Sequence, residues 1–365
     1  MFNPSSWKSY NDFPQGKRPR HATVLQASSA LTPHRPSDSL HLLGVISKNN
    51  MILVTGATGF VGRNVVRALR TRGKEVRCLV RTPARARVVA DYHVEIAYGD
   101  ILNPSALKEA MMGIDTLVHL VAIIREKGKQ SFDLVNRQGT EMVAQTAREA
   151  GVKRIVHMSA IGAQDNPDYP YLYSKWQGEQ AVINSGMTYT IFRPSIQFGE
   201  GDEFINTLAG VVKAFPVVPV AGSGNVRLQP ISVEEVGAMV SLVVDDHHFG
   251  GRIIEIGGPD HLTYNEIVDI IVRTLKVRRP KVHMPLPIMK SLIRVMEAVI
   301  PNPPATTSQL ELLDLDNVTD MDSVEKVFKL NPRPLEGNIG YIRSLSRLEA
   351  WKIALGFMPK RVRDH

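Results

Sequence analysis

Apolar and polar positions switch between two periods along the first two hundred residues after Met51. Short apolar runs of strand character fall at 51–54, 75–80, 94–97, 116–120, 154–158 and 189–192. Between them lie stretches of helical spacing at 84–90, 104–112, 131–150 and 173–185. Strands that alternate with helices predict parallel βαβ units, and so an α/β class with a doubly wound parallel sheet. No repeat of 20–50 residues interrupts that pattern.

After Arg193-Pro194 the pattern loosens. A helix is expected at 203–215, a Pro/Gly-rich passage at 216–224, a short strand near 228–231, a helix at 233–245 and a strand at 252–256. Thr263, with Glu266 three residues on, predicts a capped helix over 263–275. A strand at 281–284 and an amphipathic helix at 288–299 follow. The expected division is a sheet domain over 51–200, with returns from about 225–258, and a smaller C-terminal substrate lobe over 201–342. One helix of that lobe returns to the sheet. Residues 343–365 form a basic amphipathic tail outside the folded core, and residues 1–50 a disordered extension.

The junction of the first strand and first helix carries the first chemistry. Met51–Val54 feeds into Gly56, Gly59 and Gly62, and Val61, Val65, Val66 and Leu69 then share one helical face up to Gly73. The first glycine permits a tight turn, the second a close approach of backbone to a pyrophosphate, and the third close helix–strand packing. The helix N-terminus adds free N–H groups and the positive end of its dipole. Strand before and helix after supply the context that a lone glycine triplet lacks. The sheet is therefore Rossmann-type, with a dinucleotide as its expected ligand.

Charge changes the picture less than its total suggests. The 365 residues carry a formal net charge of +8, yet residues 1–50 and 343–365 each hold six cations against two acids, which leaves the middle neutral. Nucleic acid is therefore an unlikely partner for the folded core. A contact of the tail with anionic lipid or a protein partner stays open. No apolar run reaches the ~18 residues needed to span a bilayer. Residues 1–50 are rich in Ser, Pro, His and basic residues and lack the apolar core of a secretory signal. They read either as an organelle-type transit segment or, the preferred reading, as an extension upstream of a natural start at Met51. The corresponding compartments are the mitochondrial matrix and the cytoplasm, peripheral on the inner face of its membrane. The one cysteine, Cys78, lies in a strand and reads as an inert core thiol.

The end of the second strand bears on which dinucleotide is bound. An NAD site usually places an acid there for the ribose 2′-hydroxyl. Here the strand ends at Arg81, with Arg85 following, and no acid is present. Arg81, with Arg85 or Arg63, is placed to meet a 2′-phosphate, so NADP(H) is expected over NAD(H). Asp100, after the third strand, either accepts from an adenine amino group or caps the helix that begins near Pro104. Beyond the fifth strand come Ser159 and then Tyr171 and Lys175, whose spacing of four puts both on one helical face. A nearby ammonium would lower the tyrosine pKa and suit it to proton transfer with a carbonyl or alcohol oxygen, which Ser159 could also hold.

Together these residues make the chain resemble the extended and atypical branches of the short-chain dehydrogenase/reductase superfamily, over about 51–258. The matching elements are Thr55-Gly56-x-x-Gly59-x-x-Gly62, Gly99-Asp100, His119-Leu-Val-Ala122, Asn136-x-x-Gly139-Thr140, Ser159, Tyr171-x-x-x-Lys175 and Arg193-Pro194 with Gly199. The resemblance implies cofactor contacts at Thr58, Phe60, Val61, Ile101 and Val121 beside the glycines. It also implies that Asn136 supports the active-site helix, that Lys175 holds the nicotinamide ribose, and that Pro194 lies near the nicotinamide amide. Ser174-Lys175-Trp176-x-x-Glu179, Phe192-Arg193-Pro194-Ser195 and Leu312-x-x-Asp-x-Asp316-Asn-Val318 further resemble the NAD(P)H-binding accessory subunit of respiratory complex I and its bacterial relatives. In those subunits the nucleotide is structural or regulatory.

Two functions follow as expectations. One is NADPH-dependent oxidoreductase or epimerase chemistry on a carbonyl, quinone or nucleotide-sugar. The other is a non-catalytic accessory or assembly factor of a membrane respiratory complex. His119 reads as a packed strand-end residue, and His247-His248 has no partners for a metal. The apolar face of 288–299 reads mainly as core, with interfacial membrane contact as the alternative.

Overall fold

The computed structural model describes residues 51–363 except Pro301, Asn302, Pro304 and Asp314, so the expectation for residues 1–50 lies outside the described residues. In chain order the sheet half comprises β1 (Met51–Thr55), α1 (Phe60–Thr71), β2 (Val76–Val80), α2 (Pro83–Ala86), β3 (Glu95–Tyr98), α3 (Pro104–Ala110) and β4 (Ile114–His119). It continues with α4 (Gly139–Glu149), β5 (Arg154–Met158), α5 (Pro170–Ile183) and β6 (Thr188–Pro194). The remainder is β7 (Gln197–Phe198), α6 (Phe204–Ala214), β8 (Val218–Ala221), β9 (Arg227–Leu228), β10 (Ile231–Ser232), α7 (Val233–Val243), β11 (Arg252–Ile256), β12 (Leu262–Thr263) and α8 (Tyr264–Leu275). It ends in β13 (Lys281–Met284), α9 (Leu286–Val299), α10 (Thr307–Leu312), α11 (Ser323–Phe328), α12 (Arg347–Ala354) and α13 (Lys360–Arg363).

Seven parallel strands form one sheet in the order β11-β6-β5-β4-β1-β2-β3. The alternation of side chains along each strand divides the core between its two faces. Val54, Cys78, Val118, Val156 and Phe192 pack against α1, α7 and α11. Leu53, Leu79, Leu117, Ile155 and Ile191 pack against α3, α4 and α5. Burial pushes the Cys78 thiol up to about 12, which leaves it protonated and inert. The chain order reverses at β1, so the crevice between the carboxyl ends of β1 and β4 is where an open α/β sheet takes its ligand.

The lobe has its own core, built from α6, α8 and the short β8–β13 and β9–β12 pairs. Thr263 forms the expected capping box with Glu266. Two expectations are corrected here. Two helices, not one, return to the sheet: α7 packs along α1, and α11 brings Phe328 into stacks with Phe192 and Phe249. Residues 343–362 do not form a tail outside the core, because α12 lies along α6 and Leu345, Ile353 and Val362 are buried in the lobe. A Cβ at Gly210 would stand 2.6 Å from Ile353, so the missing side chain on α6 is what lets α12 approach. Amphipathicity had marked the face without saying what it packs against.

Candidate functional site

The glycine turn is built as the sequence requires. Gly56 has φ of +77°, and a Cβ there would sit 3.0 Å from the Leu120 carbonyl carbon at the end of β4. A Cβ at Gly62 would fall 2.0 Å from the Gly56 oxygen and 2.7 Å from the Ala57 Cα, so only hydrogen lets α1 seat on the turn. Gly59 is the N-cap of α1 and brings no side chain to the first-turn amides. Those amides are thus directed at the crevice with their dipole end unneutralised, and a nucleotide's phosphates suit them. Thr58, Phe60 and Val61 border the same turn, partly buried. Ile101 is buried under Gly139, and Val121 packs at the edge of the same cluster beyond β4.

At the end of β2, Arg81 is exposed and makes no hydrogen bond or ion pair among the described residues. Arg85 stands in the first turn after it, in α2. Arg63 is placed differently from the expectation: it is buried, its guanidinium lies over the Phe60 ring at 5.8 Å, and it donates to the Glu200 carbonyl. It ties the turn to the lobe and is not held out for a 2′-phosphate. Asp100 does not cap α3. Asn103 does, while one Asp100 oxygen accepts from the Leu102 amide at 2.9 Å.

Ser159, Tyr171, Lys175 and Asn136 lie on the elements at the carboxyl ends of β4 and β5. Ser159 follows β5 directly, its amide donates to the Phe192 carbonyl, and its buried hydroxyl has no partner among the described residues. Tyr171 and Lys175 sit one turn apart on α5, which starts at Pro170. Lys175 is buried, donates to the Met158 carbonyl at 2.6 Å, and has its pKa lowered to about 8 by burial, an effect that Glu179 opposes. Tyr171 meets the Phe132 ring edge-on at 5.7 Å, and burial pushes its phenol up to about 12. The expected lowering of the tyrosine by the ammonium is therefore not what this arrangement gives. Burial alone sets the direction of the shift, and the lysine spends a hydrogen bond on a carbonyl.

Asn136 lies in a π-helical turn, Asp133–Gln138, that precedes α4. Its amide nitrogen donates to the Ile123 carbonyl and to Ser174 Oγ, and its oxygen accepts from the Ile123 amide. It thereby clamps α5 to the loop after β4. His119 is held between Thr55 and Thr140 at 2.7 and 3.1 Å, with its pKa brought down to about 3 by burial and Lys175, so it is a neutral packing residue as expected. His247 faces Arg154 and His248 faces Asp246, and no metal-binding cluster occurs among the described residues.

Sequence reasoning passed over two connections. Glu179 is fully buried one turn beyond Lys175, and Arg193 of β6 forks onto both its oxygens at 2.8 and 2.7 Å. A mid-helix acid on the buried face demands a cation, which is the signal that could have paired them. The segment around 316–320 is the second. Asn317 accepts from Ser195 and donates to the Ile161 carbonyl, Asp316 pairs with Arg227, and the Thr319 amide donates to Gln229. A strap from the lobe thus braces the loops that follow β5 and β6, at Ile161 and at Ser195 just past Pro194. Its motif was visible, but its place in space was not.

Residues 56–204 match the family model described as NAD(P)H-binding. The chain is 28% identical to the mitochondrial NADH dehydrogenase [ubiquinone] 1 alpha subcomplex subunit 9 of Arabidopsis thaliana, over 73% of this chain and 68% of that protein. It is 30% identical to sterol demethylase protein B of Methylococcus capsulatus, over 66% of this chain and 79% of that one. Among solved structures, the Citrobacter sp. triphenylmethane reductase complexed with NADP(H) superposes with a TM-score of 0.65 at 20% identity, covering 80% of this chain and 99% of that one, a likeness of fold.

Proposed function

Because the chain belongs to the extended short-chain dehydrogenase/reductase superfamily, with a nicotinamide dinucleotide as its cofactor, we propose that it is an NADPH-dependent oxidoreductase acting on a carbonyl or quinone. The observation that carries this reading is the Ser159 hydroxyl at the carboxyl end of β5, buried and without a partner among the described residues, near a buried Lys175. A fold gains nothing from either, whereas a substrate oxygen would satisfy the first and a ribose and phenol would use the second.

The bound dinucleotide supplies or accepts the hydride. The chain's own residues do the rest. The amides at the start of α1 and the bare turn Gly56–Gly59 hold the pyrophosphate, Arg81 with Arg85 takes the 2′-phosphate, and Asp100 and Ile101 border the adenosine half. Pro194 would border the nicotinamide, and Val121, whose amide lies against Gly56, the glycine turn. Ser159 donates to the substrate oxygen, and Tyr171 gives that oxygen its proton in the reducing direction or removes it in the other. A phenol standing near 12 is a proton donor at neutral pH, which favours reduction. Lys175 holds the ribose and, when protonated, stabilises the phenolate left behind. Phe132 beside Tyr171, and a sterol-processing relative, favour an apolar carbonyl over a nucleotide-sugar.

A second reading is favoured by the respiratory relative: an accessory or assembly factor of a membrane NADH dehydrogenase complex, stabilised by nucleotide that does not turn over. Native purification followed by mass spectrometry of the bound nucleotide tests the cofactor, with NADP(H) expected and NAD(H) alone sinking the Arg81 argument. Turnover is tested by NADPH oxidation over a carbonyl and quinone panel with Tyr171→Phe as control. Tyr171→Phe is expected to lose activity and keep nucleotide affinity. No oxidation by the wild type, together with co-purifying respiratory subunits, would select the second reading.

A further inference from the structure

Helix α9 has two apolar faces where packing needs one. Met289 and Ile293 are buried, with Met296 beside them, against Leu310 of α10. A second set, Ile288, Leu292, Val295 and Val299, follows a four-three-four spacing and is 56%, 44%, 62% and 75% exposed. At about 100° per residue these four fall within an arc of roughly 60°, a single stripe that no described element covers. The stripe contains no charge. Lys290 and Arg294 stand on the remaining face, and the helix's one acid, Glu297, is occupied by the amide and hydroxyl of Thr307.

Two further observations bear on what covers it. On the same lobe α12 and the turn after it also leave large apolar groups out, Leu348, Trp351, Leu355 and Phe357, with Arg347 and Lys352 among them. And α9 leads toward the cleft. Four residues past Val299, the Pro303 carbonyl accepts from Arg125, which also pairs with Glu203 at the start of α6. Arg125 belongs to the loop after β4 whose Ile123 is held by Asn136, and its neighbour Ile124 is exposed.

We propose that α9 lies in the interfacial layer of an anionic membrane, its aliphatic stripe among the acyl chains and Lys290 and Arg294 on the headgroups. An uncharged apolar stripe with Lys290 and Arg294 on the opposite, polar side of the helix, and aromatic and basic residues exposed on a second helix, is the composition of an in-plane amphipathic anchor. A protein interface would be expected to carry aromatic residues, Met or Arg at its core, and the stripe is Ile, Leu and Val alone. Docking stands on this surface alone. Only its consequence, that the cleft mouth beside Ile124 opens where an apolar substrate partitions, rests on the oxidoreductase reading.

Flotation of the full chain with phosphatidylcholine vesicles, with and without phosphatidylglycerol, tests it independently of turnover. Binding is expected to be at least roughly tenfold tighter with phosphatidylglycerol and to weaken in high salt. Leu292→Asp with Val295→Asp should abolish it with unchanged melting temperature, since both residues are solvent-facing. Lys290→Glu with Arg294→Glu should remove the preference for phosphatidylglycerol. Wild-type protein that stays unbound to every vesicle overturns the proposal, as does an aspartate double variant that floats like wild type. A wild-type dimer in sedimentation that the aspartate variant converts to monomer overturns it too, and assigns the stripe to a second copy of the chain.

Discussion

Replacing Lys175 by Met should make this protein more stable while removing its activity. The ammonium is buried, with one hydrogen bond to the Met158 carbonyl, and its pKa falls from 10.5 to about 8. Such a shift corresponds to a cost of about 3 kcal/mol for carrying the charge in the folded state at neutral pH. Methionine has nearly the same length and no charge, so it relieves that cost. It leaves the Met158 carbonyl without its donor, which takes back about 1 kcal/mol. Glu179 keeps both its bonds to Arg193. The net expectation is a gain of about 2 kcal/mol.

The pH dependence makes the reasoning specific. The folded pKa lies below the unfolded one, so between about 8 and 10.5 the unfolded chain binds the additional proton and stability rises with pH. The charge cost is full below about 8 and gone above 10.5, and the advantage of the methionine variant should fade over that window. Urea unfolding followed by circular dichroism at pH 7 and at pH 10 measures both terms. A variant less stable than wild type at pH 7, or one whose advantage is equal at the two pH values, would refute the claim that a desolvated ammonium is held here at the fold's expense.

Ser159→Ala removes a buried hydroxyl with no partner among the described residues, so thermal unfolding should show it unchanged or stabilised by up to about 1 kcal/mol while turnover falls by at least about a hundredfold; a loss of stability would show that the hydroxyl serves the fold. Gly62→Ala puts a Cβ 2.0 Å from the Gly56 oxygen and should weaken NADPH, read by fluorescence titration, by at least roughly tenfold; unchanged affinity would mean that α1 can shift without cost to the turn. Arg81→Glu should weaken NADPH by between about tenfold and a hundredfold, the worth of one charge-assisted bond, with NADH little affected; equal losses for both nucleotides would remove Arg81 from the 2′-phosphate.

The sheet was legible because each of its strands is apolar for several residues and the period changes cleanly at each helix. The glycine turn was legible because its three glycines do three separate steric jobs. What the pattern concealed had physical reasons. Helix α5 begins at Pro170 and not at 173, and proline at the first helical position was the unread signal that brings Tyr171 inside the helix. The stretch at 131–150 reads as one helix, yet a π-turn at Asp133–Gln138 interrupts its start and sets Asn136 against Ser174. Spacing told that Tyr171 and Lys175 share a face. It could not tell that the ammonium is bound by a carbonyl from β5, because that depends on a residue 17 positions away in the chain.

Buried polarity alone does not mark this site, nor does an unmatched atom alone. Both His157 nitrogens and single atoms of Gln197, Glu235 and Ser323 are also buried without a partner among the described residues, so position has to be added. Thr55, His119 and His157 lie side by side across β1, β4 and β5, as deeply buried as Ser159 and Lys175. His119 is neutral and bonded at both nitrogens, to the strand on one side and to Thr140 of α4 on the other, so it fixes the spacing of β1, β4 and α4 and has no capacity left for chemistry. Arg193 and Glu179 likewise close on each other. Ser159 and Lys175 differ from these pairs in opposite ways, one with a hydroxyl unmatched, the other with a charge that a single carbonyl cannot offset. Both stand where β5 ends and α5 passes over it, at the carboxyl edge that the glycine turn also faces. His157, beside His119, is unmatched too, but it lies within β5, whereas Ser159 and Lys175 stand at the strand's carboxyl edge. It is that placement, rather than openness alone, that the Lys175 and Ser159 variants put to measurement.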